Sequence, residues 1–402
     1  MNKEVGALIS LQPNATKIAH KLGLDTFFQN KRPTIDTAFR IYNSDGAVTN
    51  TIDLLKAAGP SGARVCYHRV DLHESLKQAA TDDDGETPPA QIRIASRVCS
   101  CNAEEGSVLL ESGEVLSADL IVGADGIHSV CRDSIFFPTE NPTTFSPKST
   151  GVSAYRLLLP TSRILSITNI RDHLDPTAPM THMLFGHEQR VIMGPARQGE
   201  IFGITALVPD GKMYETSSTS SWTSEGSLNK LLESFNVFPQ WLKDIFAAAA
   251  APDEAGNPSD VALWQLRDID PLPRWSRGRL ILVGDAAHAM LPTQGQGASQ
   301  SFEDAEALGE FVNDINLSTS SFAPSKSVIE ALGERFFSCR YERASLIQGY
   351  SRQQGQKSGQ EGNRKDLRVT LNPAEFMKYN ITYEGAREWE KLQKGAVQQA
   401  VC

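Results

Sequence analysis

The chain predicts an α/β fold: a parallel-sheet domain joined to an antiparallel sheet, with helices at the C-terminal end. Three observations predict it. Residues 279–298 read as a buried strand, a glycine-punctuated loop and the start of a helix. Residues 118–126, A-D-L-I-V-G-A-D-G, read as a second buried strand, ending at Asp125. Segments near 151–159, 181–186, 190–194 and 201–208 alternate apolar with polar residues and end in turn signals, as antiparallel strands do.

The elements follow in order. Residues 11–22 predict a helix with Leu11, Ala15, Ile18 and Leu22 on one face. Strands near 38–42 and 47–52 flank the turn N-S-D-G at 43–46. Arg69 stands just ahead of a helix over 71–80, and 81–89 is a polar loop. Strands near 106–111 and 114–117 flank E-S-G-E as a hairpin. One helix over 227–250 carries Leu231, Phe235, Phe238, Trp241 and Leu242. Residues 317–325 link to a helix over about 326–352, and the polar tail 353–402 is expected to be helix-capable but loosely packed. No internal repeat occurs. The predicted division is 1–145 and 263–352 for the first domain, 146–262 for the antiparallel one, and 353–402 for the tail.

Composition narrows the class. Of 402 residues, 40% are hydrophobic and 22% charged, the balance of a soluble globular protein. A net charge of −9 argues against nucleic acid or an anionic membrane surface as partner, since either needs a basic face. No apolar stretch has the length of a membrane span; F-A-A-A-A-A at 246–251 is too short. The N-terminus lacks a signal peptide's apolar core, so a cytoplasmic location is expected. The six cysteines fit no zinc spacing and are expected to be free thiols, two of them in a strand at 99–101.

The chemistry concentrates at G-D-A-A-H-A-M-L-P-T-Q-G-Q-G-A, residues 284–298. Asp285 at the end of a strand suits a sugar-like hydroxyl. Gly295 and Gly297 ahead of a helix opening at about Ala298 let a ligand approach exposed N–H groups and the positive end of the dipole. The same residues also suit an ordinary strand–loop–helix with a capping aspartate.

This run resembles the second flavin motif of the FAD-dependent aromatic hydroxylases, the family of p-hydroxybenzoate and salicylate hydroxylases. Other segments carry the likeness further: E-V-G-A (4–7) with L-Q-P-N-A (11–15), Y-H-R-V-D-L-H-E-S-L (67–76), D-G-I-H-S-V-C-R (125–132), W-Q-L-R-D (264–268) and P-L-P-R-W-S-R-G-R (271–279). The resemblance is greatest to the fungal salicylate-hydroxylase-like set. It implies FAD and NAD(P)H as cofactors and the O2-dependent hydroxylation of an aromatic acid, phenol or polyketide-type ring. Epoxidation and oxidative decarboxylation are equally compatible with the motifs. A halogenase or dehydrogenase fits less well, because W-x-W-x-I-P is absent.

The resemblance also implies roles. Ala7, Arg69, Asp125, Asp285 and Ala298 would hold the cofactor: Asp285 at the ribityl hydroxyls, Ala298 through its backbone N–H, Asp125 near the pyrophosphate with Ser129 and Arg132 facing the same way. Asp125 could instead only hold a helix start, with Arg132 at the surface. Arg69 could instead pair with Asp71 or Glu74. Arg156 would bind a carboxylate or phenolate of the substrate and is the candidate catalytic residue, with Tyr155 a second choice; a structural arginine is the alternative. His288 and His187 could polarise a phenol, though His288 reads better as structural, and His68 and His73 read as surface residues. A possible homodimer is expected, and no metal.

One departure is large. The family begins with strand, G-x-G-x-x-G and helix, whereas Met1 stands directly before E-V-G-A. The resemblance therefore implies that one βαβ unit of roughly 30 residues is missing, leaving two strand edges unpaired. Either the working protein is longer, or the chain as written is a truncated, non-catalytic relative that binds FAD poorly. A smaller departure is Leu8, where a glycine often lies; its side chain is expected to crowd the flavin.

Overall fold

The computed structural model describes residues 7–59, 62–83, 85, 88–137, 142–210, 223–252, 261–318, 323–355 and 369–401. Residues 4–6 of the first motif, Cys402 and parts of the expected loop and linker segments lie outside them. The chain divides into two compact units: Met1–Ala90 with Gly151–Leu266, and Gln91–Thr150 with Arg267–Cys402. The composition change near 145 falls close to the cut at 150. The first ninety residues, however, pack with the antiparallel sheet.

In the first unit, eight strands form one sheet. They are β3 (Ala38–Tyr42), β4 (Val48–Asp53), β10 (Lys148–Pro160), β11 (Thr181–Phe185), β12 (Arg190–Ala196), β13 (Ile201–Pro209), β14 (Thr223–Glu225) and β15 (Ala262–Asp268), in the order β14-β15-β10-β13-β12-β11-β3-β4. The expected alternation is realised: Leu157, Leu159, Val191, Met193, Phe202, Ile204 and Ala206 turn one face into the core. The β3–β4 turn is set by Asn43, whose Oδ1 accepts from the N–H groups of Asp45 and Ala47. Gly46 there has φ +83°, and a Cβ would meet Pro239 and Trp241 at 2.9 Å.

Helices α6 (Thr161–Leu165), α7 (Leu228–Ser234) and α8 (Gln240–Ala250) lie against that core. The single helix expected over 227–250 is broken at 235–239, because Pro239 cannot continue α7 and starts α8 as its N-cap. Phe235, Phe238 and Phe246 stack edge-on around the break; each such buried ring stabilises by about 1.5–3 kcal/mol relative to exposure.

The same unit carries a three-stranded antiparallel sheet, β1 (Leu8–Leu11), β5 (Val65–His68) and β2 (Thr34–Ile35), in the order β1-β5-β2. Helices α1 (Pro13–Lys21) and α4 (Arg69–Thr81) pack on it, α2 (Asp25–Gln29) packs on α4, and α3 (Leu54–Ala58) lies against β3 and β4. Pro13 opens α1, where its missing N–H costs nothing. Ala15 and Ile18 are buried as expected, but Leu22 caps the helix end and is exposed.

In the second unit, β6 (Val98–Asn102), β7 (Ser107–Leu110) and β8 (Val115–Ser117) form an antiparallel sheet. Another sheet has the order β16-β17-β9, from β9 (Ile121–Gly123), β16 (Ser276–Arg277) and β17 (Leu280–Leu282), with β17 and β9 parallel. The strand expected over 118–126 is only three residues long, and Val122 is 43% exposed; β9 lies at the edge of its sheet. Parallel pairing occurs here and between β11 and β3.

Helices α5 (Val130–Phe136), α9 (Asp285–His288), α10 (Gly297–Ser318), α11 (Lys326–Gly355), α12 (Pro373–Ile381) and α13 (Ala386–Val401) complete the unit. The expectation of a loosely packed tail is corrected for its described part. Phe376 and Ala386 are buried, and Phe376 stacks on Tyr350. Asn372 and Glu375 form a reciprocal capping box. Arg387 donates to Glu310 and Asp314 of α10.

Candidate functional site

Strand β17 is wholly buried and leads through Val283 to Gly284, whose φ of +59° suits glycine. The turn is held from behind. The Gly284 N–H donates to Asp304 Oδ2 at 2.8 Å, and His288 Nε2 lies 2.7 Å from the same oxygen. Arg340 Nε donates to Asp304 Oδ1 at 2.9 Å. With His288 and Arg340 beside it, the Asp304 carboxyl is held far below the usual range despite complete burial. His288 is therefore structural, as its place in the loop suggested.

Asp285 is treated in the opposite way. Its side chain is exposed and makes no hydrogen bond or ion pair to another described residue. Desolvating surroundings push its carboxyl up, with only His288 opposing. Such a carboxylate is ready to accept hydrogen bonds from a ligand. Beyond it, Gly295 has φ +60° and α10 opens at Gly297 with Ala298 half-buried in its first turn. A Cβ at Gly297 would meet nothing within 4 Å, so the helix start is open. Thr293 Oγ1 donates to the Ser351 carbonyl and pins the loop.

Asp125 follows β9 and is already occupied. It accepts from Ser129 Oγ at 2.5 Å and from the Cys131 N–H at 3.0 Å, while Ser129 caps α5 by accepting from the Arg132 N–H. The carboxylate thus fixes a helix start. The alternative of a surface Arg132 is not met: it is 2% exposed. Its guanidinium donates to the Ile127 carbonyl at 2.6 Å and to the Ala286 carbonyl at 3.1 Å. It ties the Asp125 loop to the residue after Asp285. Sequence reasoning placed Arg132 beside Asp125 but missed this bridge, as it missed Asp304 and Arg340 altogether.

The other predicted residues lie in the first unit. The Ala7 carbonyl accepts from the Arg69 N–H at 2.9 Å, which joins the first motif to the start of α4. The alternative of an Arg69 salt bridge with Asp71 is not met, since Asp71 is held in two hydrogen bonds by Arg197. Leu8 packs against Gly203, where a Cβ would come within 2.3 Å of Leu8 Cγ. Gly203 thus supplies the room for its side chain.

Arg156 sits on β10, half-buried, with its guanidinium 5.2 Å from the Trp264 ring centroid. It makes no hydrogen bond or ion pair to another described residue. Burial and the neighbouring Arg69 both disfavour its charge. Arg156 is thus a half-buried guanidinium with no carboxylate among its described partners, and pairing with an anion would favour its charge. Tyr155, the second choice, points the other way into the core and is 1% exposed. His187 is exposed in a turn, His73 is exposed beside Glu74, and His68 is corrected to buried.

In the second unit, an unengaged carboxylate after a buried strand and an open glycine helix start fit a ligand with a hydroxylated chain and negative charge. Those are the needs of a flavin nucleotide, so the class of protein defined here is a flavin-dependent oxidoreductase. Residues 75–312 match the model of the FAD binding domain, and the chain belongs to that family, the FAD-dependent monooxygenases and hydroxylases. It is 30% identical over 320 residues to hispidin-3-hydroxylase of Neonothopanus nambi, covering 76% of this chain and 71% of that protein. It is 28% identical over 356 residues to a salicylate hydroxylase of Pseudomonas putida, covering 86% and 76%. The solved salicylate hydroxylase substrate complex shares the fold, with a TM-score of 0.73 at 22% identity over 96% of this chain and 90% of that one. The cofactor is FAD.

Proposed function

We propose that this chain is an NAD(P)H- and O2-dependent monooxygenase that hydroxylates an aromatic acid, phenol or polyketide-type ring. The observation that carries the substrate class is Arg156: a half-buried guanidinium without an anionic partner, stacked on an indole. A carboxylate or phenolate would complete it, with the ring held against apolar surface. FAD, when bound, supplies the activation of oxygen and the storage of reducing equivalents.

The chain's own residues bind and orient. Asp285 accepts hydrogen bonds from the flavin's hydroxylated chain. Ala298 and Gly297 present backbone N–H groups and the positive end of a helix to negative charge on the ring. Ala7 and Arg69 form the remaining cofactor contact, and Asp125 sets the turn near the pyrophosphate. Functionally, residues 1–145 and 263–352 would serve the cofactor and 146–262 the substrate. A cytoplasmic enzyme, with homodimerisation possible, completes the reading.

The test is direct. Purified protein loaded with FAD is mixed with NADH or NADPH, O2 and a panel of phenolic acids. The reading requires ligand-stimulated NAD(P)H oxidation and a product heavier by one oxygen. NAD(P)H oxidation without any oxygenated product from the panel would sink it.

A further inference from the structure

We infer that the substrate is elongated: an acid-headed aromatic molecule with an apolar extension, lying along one row of the eight-stranded sheet. This rests on the reading of Arg156 as the substrate's anion partner.

The row is defined by strand register. Arg156 on β10 faces Thr205 on β13, and Thr205 faces Ile192 on β12. Ile192 faces Met183 on β11, which is paired with Ile41 on β3. All five side chains are half-buried. Their neighbours along the first four strands, Tyr155 and Leu157, Ile204 and Ala206, Val191 and Met193, His182 and Leu184, are buried on the opposite face. Trp264 lies beside Arg156 at one end. Two residues along, Gly203 and Gly194 are buried, and Leu8 of β1 sits on Gly203. The half-open row therefore runs beside a filled one.

Its chemistry changes in one direction: cation and indole, then a hydroxyl, then isoleucine, methionine and isoleucine. Beyond Arg156 the row carries no charge. Strands lie about 4.8 Å apart, so the four steps from Arg156 to Ile41 make a track of roughly 19 Å. A single-ring acid anchored at Arg156 would cover Thr205 and leave Ile192, Met183 and Ile41 in water. A longer ligand would bury them, and the unbranched Met183 can adapt its shape to the contact.

The experiment uses FAD-loaded full chain and three probes: 2-hydroxybenzoate and its 4-heptyl and 5-heptyl derivatives. Dissociation constants come from perturbation of the flavin absorbance. At least one heptyl probe should bind roughly tenfold or more tighter than 2-hydroxybenzoate. Met183→Asp and Ile192→Thr should each shrink that preference several-fold. Should Met183→Asp fail to fold, Met183→Gln and Ile192→Thr carry the comparison. Arg156→Met should weaken the long and short probes alike.

A preference below about twofold, or one that survives the row substitutions, overturns the track. The effect of Arg156→Met on 2-hydroxybenzoate then still judges the anion reading separately. If FAD-loaded wild-type protein binds none of the three probes, the anion reading falls and the track falls with it.

Discussion

Two groups of arginines in this chain are treated in opposite ways. In the second unit, Arg340 and Arg343 are buried and neutralised: Arg340 by Glu303 and Asp304, Arg343 by both oxygens of Glu303. Those partners hold the Arg340 guanidinium firmly charged, even fully buried. In the first unit, Arg156 has no such partner, and its surroundings disfavour its charge. The aspartates repeat the contrast. Asp304 is engaged by three groups, whereas Asp285 is engaged by none that is described. Charges that set the backbone are paired within the protein. Charges that await a ligand are left open, at a cost the ligand offsets.

Breaking the paired set should have the largest effect. Arg340→Met leaves Glu303 and Asp304 buried with too little positive charge, which costs about 3–5 kcal/mol. Denaturant unfolding of the FAD-free protein should report that loss. A change under about 1 kcal/mol would erase the contrast between the two groups, because the buried ions would then contribute no more than surface pairs.

The open set should behave differently. Arg156→Met removes a cation that the fold does not use, so stability should hold within about 0.5 kcal/mol or rise. Affinity for an anionic ring should fall by about one to two orders of magnitude, the weight of a charged hydrogen bond. A primary amide analogue of the same ring should lose much less. Equal losses for acid and amide would show that Arg156 shapes the sheet and does not recognise charge.

Asp285→Asn should act more mildly. The carboxyl is already disfavoured by its surroundings, so unfolding of the FAD-free protein should be unchanged. FAD affinity should weaken by about tenfold, because a neutral amide is a poorer acceptor for hydroxyls than a carboxylate. Titration of the apoprotein with FAD, followed by quenching of flavin fluorescence, measures it. An unchanged affinity would place the hydroxylated chain elsewhere.

What the sequence reveals follows from how local each device is. Gly284 to Ala298 is contiguous, and its strand, turn and helix start are legible from residue type alone. So are the β3–β4 turn at Asn43 and the alternation of β10 to β13. The sequence S-A-Y-R-L does not say which of Tyr155 and Arg156 faces the core, because both types suit either face; the packing of α7 and α8 decides it. The bridge from Arg132 to Ala286 joins residues 154 positions apart, and Asp304 reaches back 20 positions to Gly284. No local pattern encodes such pairings. The packing of the tail is hidden for the same reason: Arg343 of α11 anchors it by donating to the Tyr379 and Asn380 carbonyls, which polar composition does not show.

The smallest effect concerns two thiols, and it repeats the contrast within a single pair. Cys101 on β6 is half-buried, and Cys131 on α5 is buried. The neighbouring Cys131 thiol, and after it Ser134, favour the Cys101 thiolate and bring the Cys101 thiol down to about 7. Cys131, beside Cys101 in a desolvated place near Asp125, holds its proton more tightly and is pushed up. Cys101 thiolate should therefore form as pH rises through about 7, while Cys131 stays protonated. Thiolates and not thiols attack alkylating agents. Iodoacetamide labelling of the folded protein, located by fragment-ion sequencing to separate Cys101 from the exposed Cys99, should show the Cys101 rate rising across about pH 6–8. Cys131 should remain unlabelled until the chain is unfolded. Cys131→Ser replaces the weak thiol donor with a shorter hydroxyl and should move the Cys101 midpoint upward with little change in stability. A Cys101 midpoint that ignores this substitution would mean that the two sulfurs are not coupled, and that β6 and α5 are held together by packing alone.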